Sequence, residues 1–155
     1  MKTNAMRLLD FHNIPYETLS YHVKNGDYDA MQIAKNNGIP AHLLFKTLVC
    51  TDEKKQIIVA VIPSNLQLST KKLEKVSNTK DIFLLDTDDL LGKTGYVRGG
   101  CSPLAMKKQF PVFFHEANNP AESIWVNAGK KGFLIKVELA KLLDLTAGVI
   151  IDIAR

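Results

Sequence analysis

Cysteine is nearly absent. Cys50 and Cys101 are the only two in 155 residues, and they form no CxxC pair. That excludes a disulfide framework and a cysteine-rich zinc site, and it fits a reducing, cytoplasmic compartment. Long hydrophobic runs are also missing. The longest apolar stretches are strand-sized, so no transmembrane helix and no membrane partner are expected. Nothing after Met1-Lys2-Thr3-Asn4-Ala5-Met6-Arg7 reads as a signal-type apolar run. Repeats, low-complexity tracts and linkers are lacking, which leaves one domain over residues 1–155 as the expectation. The four histidines, His12, His22, His42 and His115, fall at no metal-binding spacing such as HxxxH. Neither a metal nor a cofactor is called for, and no protein nucleophile stands out.

What is present is an ordinary globular composition, 46% hydrophobic and 23% charged, long enough to bury a core without staples. A net charge of +4 and a pI near 9.0 mildly favour polyanionic partners.

Hydrophobic spacing predicts a helix from Thr3 or Asn4 to about Asn13, ended by Ile14-Pro15, and then a strand over Tyr16 to Tyr21. The polar segment His22 to Asp27 reads as a loop. Asp29 opens a helix through Lys35, stopped at Asn37-Gly38. Leu44 to Thr51 and Gln56 to Ile62, joined by a turn at Asp52 to Lys55, form the clearest hairpin. Ser69 or Thr70 caps a helix containing Leu73 and Val76. A short strand over Ile82 to Leu85 leads to a helical turn from Asp86 to Leu91, ended by Gly92. Ser102 and Pro103 read as N-cap and first position of a helix over Leu104 to Lys108. Strands at Val112 to His115, Ile124 to Asn127 and Phe133 to Val137, a helix from Glu138 to Leu143 and a last strand from Val149 to Ile153 complete the chain. Short strands mixed with short helices predict the α+β class: a compact, curled mixed sheet or partial barrel with short helices around it.

Two segments carry the chemistry. Lys46 interrupts an apolar run, Leu43-Leu44-Phe45-Lys46-Thr47-Leu48-Val49-Cys50. On a strand it shares a face with Leu44 and Leu48, while Thr47 points the other way. A lysine there either snorkels to water or fixes an anion or carbonyl by its point charge. The second segment is Gly95-Tyr96-Val97-Arg98-Gly99-Gly100-Cys101-Ser102-Pro103. It is either a tight turn before a capped helix or a set of backbone N–H donors aimed at a ligand.

Phe45-Lys46-Thr47-Leu48-Val49, the glycine segment through Leu104, Lys107-Lys108, and Trp125-Val126-Asn127-Ala128-Gly129-Lys130-Lys131-Gly132 together resemble the YbaK/EbsC family of trans-acting aminoacyl-tRNA deacylases. The resemblance spans nearly the whole chain in the same order. It implies a mixed α/β fold related to the editing domain of bacterial prolyl-tRNA synthetases, and hydrolytic editing of mischarged tRNA, typically Cys-tRNA(Pro). It places the family's lysine on Lys46, its hydroxyl neighbour on Thr47 and its pocket tyrosine on Tyr21. Its glycine pair falls on Gly99 and Gly100, and its serine on Ser102. Cys101 stands where the family has an aliphatic residue, and Asn127-Ala128 where it often has Ser-Gly. Pocket shape, and with it the choice between cysteinyl, alanyl and other small aminoacyl groups, stays open at those positions.

On this reading Lys46, Gly99 and Gly100 form the catalytic set, with backbone N–H groups around Gly99 to Cys101 as oxyanion donors. Tyr21, His22, Thr47, Cys101, Ser102 and Asn127 contact substrate. Cys101, beside a helix start, tempts as a nucleophile, but the aliphatic family residue argues for a wall position. Ser102 suits an N-cap better than a nucleophile. The resemblance implies instead that the substrate's own thiol attacks its ester, by hydrolysis or cyclisation. The basic pairs Lys71-Lys72, Lys107-Lys108 and Lys130-Lys131 suit either tRNA phosphates or a solvated surface. The implied partners are mischarged tRNA, tRNA(Pro) first, and prolyl-tRNA synthetase in a transient complex. A non-catalytic module binding a nucleotide or aminoacyl ligand is the alternative.

Overall fold

A computed structural model describes residues 1–23, 29–116 and 119–155. Its centre is a hairpin. β2 (Phe45–Thr51) pairs antiparallel with β3 (Ile57–Pro63) in a seven-residue register from Phe45 opposite Pro63 to Thr51 opposite Ile57. Every residue of β3 is buried. Its unbroken apolar sequence, Ile57-Ile58-Val59-Ala60-Val61-Ile62, is that of a strand covered on both faces. One face, with Val59 and Val61, joins a core with Leu9, Phe114, Ile135, Leu139 and Leu142. The other, with Ile58, Ala60 and Ile62, packs on Leu73 and Ile153.

β4 (Phe83–Leu84) adds antiparallel to β2, while β5 (Val112–His115) and β8 (Val149–Ile151) add parallel beyond β3, giving the order β4-β2-β3-β5-β8. A second sheet, β1-β7-β6, holds β1 (Glu17–Ser20), β7 (Phe133–Glu138) and β6 (Ser123–Asn127), all antiparallel. A single bridge between Leu44 and Trp125 links the two sheets. The mixed α+β sheet architecture is as expected, but the described strands do not close into a barrel.

Helices cover the sheets. α1 (Asn4–Phe11) is capped by Thr3, α2 (Ala30–Asn36) by Asp29 and α3 (Thr70–Ser77) by Ser69, each through its side-chain oxygen. The segment His22 to Asp27, read as a loop, is described only for His22 and Val23; the remainder lies outside the described residues.

Two helix readings change. α4 (Thr87–Thr94) runs through Gly92 and ends at Gly95, whose φ of +89° is left-handed. Gly92 sits on an exposed helix, where glycine costs only about 1 kcal/mol, so it does not stop the chain. The second change is larger: no helix follows Ser102-Pro103. Ser102 is buried, and its Oγ accepts the Leu104 N–H at 3.2 Å, as an N-cap would. The chain then departs. Ala105 takes φ +58°, and the buried Tyr96 hydroxyl donates to the Leu104 carbonyl. A tertiary partner thus takes the acceptor that a helix would have used. Smaller differences are α5 (Leu139–Thr146), longer than expected, and β8, which stops at Ile151.

Tyr96→Phe removes that hydroxyl and leaves the Leu104 carbonyl without its donor. Urea denaturation should show a loss of about 1–3 kcal/mol.

Candidate functional site

A cavity of about 500 Å³ opens beside β2. Along the edge away from β3, the β-bridges among the described residues are the one between Leu44, just before β2, and Trp125 of β6, and the β4 pairing at Cys50 and Thr51, next to which the Leu85 N–H donates to the Val49 carbonyl. Between those contacts Phe45, Lys46, Thr47 and Leu48 all line the cavity. Strand alternation put Lys46 and Thr47 on opposite faces. The cavity is flanked by the strand's edge rather than one face, so both residues reach it.

Lys46 is half-buried, and burial lowers its pKa below that of an ordinary lysine. The Asp29 carboxylate acts in the opposite direction and favours the charged form. Thr47 Oγ1 is buried and has no hydrogen-bond partner among the described residues. An orphaned buried hydroxyl is costly unless something later satisfies it.

The glycine segment faces this wall. Gly99 and Cys101 line the cavity, with Arg98 beside them. Gly99 takes φ +83°, and its carbonyl accepts from the Asn127 side-chain amide at 2.8 Å. The Oδ1 of the same amide accepts the N–H of Gly129 at 2.7 Å and of Lys130 at 3.1 Å. Asn127, at the end of β6, thus ties the glycine segment to the 129–132 turn. Gly100 is buried against that turn: a Cβ there would stand 3.0 Å from the Lys131 nitrogen and 3.3 Å from Lys130 backbone atoms. Its N–H is already given to the Val97 carbonyl at 2.9 Å. Gly100 therefore shapes the segment and has no N–H free for a ligand. No acceptor among the described residues takes the N–H of Gly99 or Cys101.

Tyr21 lines the opposite wall with Leu134. Its N–H donates to the Gly132 carbonyl at 2.8 Å. The structure thus brings Tyr21, Lys46, Thr47, Gly99, Cys101 and Asn127 to one cavity. It leaves off the wall the buried Ser102 and Gly100 and the exposed His22. With no helix after Ser102, the expected helix N-terminus is also missing from the site. Two charged wall residues were not singled out by sequence. Asp29 read only as a helix opener, and Arg98 as an unassigned cation inside the glycine segment; its position between those glycines was the available signal.

Among the basic pairs, Lys130-Lys131 borders the glycine segment. Lys107 donates to the Gly92 carbonyl at 3.3 Å. Lys72 pairs with Asp152 at 3.0 Å and donates to the Ala154 carbonyl, on the face covered by α3.

Cys101 is a wall group and not a poised nucleophile. Burial pushes its thiol up to about 12, and does the same to Cys50. A protonated thiol is a poor nucleophile. Both cysteines should react with iodoacetamide at pH 8 more than ~10-fold slower in the native protein than in urea, as read by mass spectrometry. Gly100→Ala should push the 130–131 backbone outward and distort the cavity wall, costing about 1–3 kcal/mol of stability in denaturation.

The profile of the family described as "Aminoacyl-tRNA editing domain" matches residues 25–145. A protein of Enterococcus faecalis, named as a candidate Cys-tRNA(Pro)/Cys-tRNA(Cys) deacylase, EbsC, is 41% identical over 152 residues, covering 98% of this chain and 93% of that protein. Among solved structures, hypothetical protein APE2540 superposes with a TM-score of 0.85 at 17% identity, over 96% of this chain and 97% of that one. A candidate trans-editing enzyme for prolyl tRNA synthetase superposes with a TM-score of 0.81 at 18% identity, over 100% and 99% of the two chains. At those identities the structures testify to fold alone. With the profile spanning most of the chain and a relative at 41% identity, this chain belongs to the aminoacyl-tRNA editing family.

Proposed function

We propose that this chain is a trans-acting deacylase, working as one domain, that cleaves cysteine from mischarged tRNA(Pro). The observation that carries the reading is one wall holding a half-buried Lys46 beside a buried Thr47 hydroxyl with no described partner. A ligand in the cavity would bring polar atoms to the Lys46 charge, and a small shift of Thr47 would let its hydroxyl join them. Family membership says which kind of ligand: an aminoacyl ester at a tRNA 3′ end.

The ester is already activated, so the protein's task is to position it and stabilise the oxyanion. The Gly99 and Cys101 N–H groups are the donors for the developing oxyanion, since Gly100 has given its own away. Losing one such donor typically costs ~10²–10³ in kcat. Lys46 holds the ester carbonyl or the terminal phosphate by its charge, and Thr47 hydrogen-bonds the ester end. Gly100 and Asn127 act through the shape of the segment. Tyr21 and Cys101 bound the side-chain space.

Neither cysteine of the protein is activated, which suits attack by the substrate. The cysteinyl sulfur attacks its own carbonyl carbon, the ester C–O bond breaks, and the ribose hydroxyl leaves with the proton. A four-membered thiolactone results, which water can open to cysteine. Such an enzyme answers a synthetase's limit: missing apolar groups are worth only about 1–3 kcal/mol, so a proline pocket admits smaller amino acids. Choice of the tRNA rests on prolyl-tRNA synthetase in a transient complex, with Lys130-Lys131 touching phosphate beside the cavity.

The purified protein should deacylate Cys-tRNA(Pro) in preference to Ala-tRNA(Pro), and Lys46→Ala should lose at least ~100-fold in kcat/KM with its thermal unfolding unchanged. Full activity in that variant removes Lys46 from the site, and equal loss of the alanyl substrate removes the thiol-assisted step. No deacylation of either substrate leaves only the ligand-binding module. The active form of Lys46 is the ammonium, present below its pKa. Because burial lowers that pKa, activity should fall with rising pH earlier than an ordinary lysine would allow. Replacing Lys130 and Lys131 by alanine should flatten the salt dependence of tRNA binding by about one to two phosphate contacts.

A further inference from the structure

We infer that Arg98 binds the phosphodiester on the 5′ side of the last tRNA nucleotide, which leaves Lys46 to the ester carbonyl. The inference deepens the deacylase reading above and rests on it.

Arg98 stands at the corner of a tight turn. The Gly100 N–H closes that turn on the Val97 carbonyl at 2.9 Å, and Gly99, third in the turn, takes φ +83°. A cation at the second position has no part in holding such a turn. The turn itself is clamped. The Asn127 amide donates to the Gly99 carbonyl at 2.8 Å, and Gly100 packs on the 130–131 backbone. Arg98 is therefore carried on a fixed base, and it is exposed and lines the cavity. Among the described residues no carboxylate pairs with it. Neither the turn nor an ion pair accounts for an arginine at this place.

The two cations of the wall differ. Lys46 is half-buried, while Arg98 is exposed. A phosphodiester is a permanent anion, and taking it out of water is costly. An ester carbonyl is neutral and goes deeper at less cost. The exposed cation therefore suits the phosphate, and the half-buried one the carbonyl. Side-chain geometry agrees: a guanidinium is a planar fork that meets two phosphate oxygens at once, whereas an ammonium is a point charge. A single ribose joins the aminoacyl ester to the 5′ phosphate, so one nucleotide carries both groups to the cavity. The consequence is selectivity for an ester borne on a nucleic-acid end over a free amino-acid ester.

The test uses two stable 3′-amides of cysteine with 3′-amino-3′-deoxyadenosine, one with a 5′-hydroxyl and one with a 5′-methyl phosphodiester. Calorimetry at pH 7 and low salt reads the ratio of their dissociation constants for the wild-type chain, Arg98→Gln and Lys46→Gln. The wild type should bind the diester about three- to tenfold tighter, the range of an exposed charge-assisted contact. The advantage should shrink as salt rises. Arg98→Gln should abolish the advantage and bind the 5′-hydroxyl ligand as the wild type does. Lys46→Gln should weaken both ligands alike and keep the ratio. On Cys-tRNA(Pro), Arg98→Gln should raise KM by a similar factor and lower the salt slope by about one phosphate contact. A wild-type ratio of one, an undiminished ratio in Arg98→Gln, or a ratio lost in Lys46→Gln overturns the inference. So does equally tight binding of adenosine 5′-methyl phosphate, which marks a site for free nucleotides. Deacylation of Cys-tRNA(Pro) is measured separately. Deacylation without a phosphate advantage removes the role of Arg98 alone. An Arg98-dependent advantage without deacylation keeps the phosphate site and removes the enzyme reading.

Discussion

Everything at the site depends on the register between β2 and β3. Lys46 stands opposite Ile62, and β3 is covered on both faces. Side chains alternate with a period of two, so a slip of one residue would exchange the faces taken by Lys46 and Thr47 and drive Phe45 out of the core. The cost of exposing the buried partners, Phe45, Val49 and Cys50, holds the register. A lysine can be kept half-buried on such a strand because the hairpin around it is overdetermined by apolar burial.

The open edge of β2 follows from the way the two sheets join. One bridge at Leu44 and the pairing with β4 leave Phe45 to Leu48 without a bridged partner on that edge among the described residues. A strand edge normally invites pairing by another chain. Here it becomes the floor of a cavity, roofed by the glycine segment. The roof is held by the Asn127 amide, whose three hydrogen bonds reach Gly99, Gly129 and Lys130, and by Gly100, whose missing Cβ admits the 130–131 backbone. Asn127 stands where the family often has serine. An amide has both a donor and an acceptor on separate atoms, so it can clamp two loops at once.

The cavity wall carries charges of both signs. Burial weakens the charge on Lys46, the Asp29 carboxylate restores part of it, and Arg98 adds a second cation. The cysteine on the wall is held protonated by its burial.

Much of this was legible in the amino-acid order. The apolar run of β3, the hairpin turn before it and the capping residues Thr3, Asp29 and Ser69 are local signals, and each produced the expected element. The lysine inside an apolar strand and the glycine-rich segment marked both halves of the site before they could be seen together. What sequence misread were places where a distant partner overrules a local preference. Ser102-Pro103 has the chemistry of a helix start, but the Tyr96 hydroxyl takes the Leu104 carbonyl and Ala105 turns left-handed. Asp29 reads as a cap, and only the tertiary fold brings its charge toward Lys46. Thr47 belongs by alternation to the far face, yet the open strand edge puts it on the wall. The sequence by itself determined which segments are apolar, capped or glycine-rich, because those properties reside in single side chains and their neighbours. Only the tertiary structure decided which N–H groups are spent and which carboxylate faces which lysine, because these are distances between segments that the chain order leaves free.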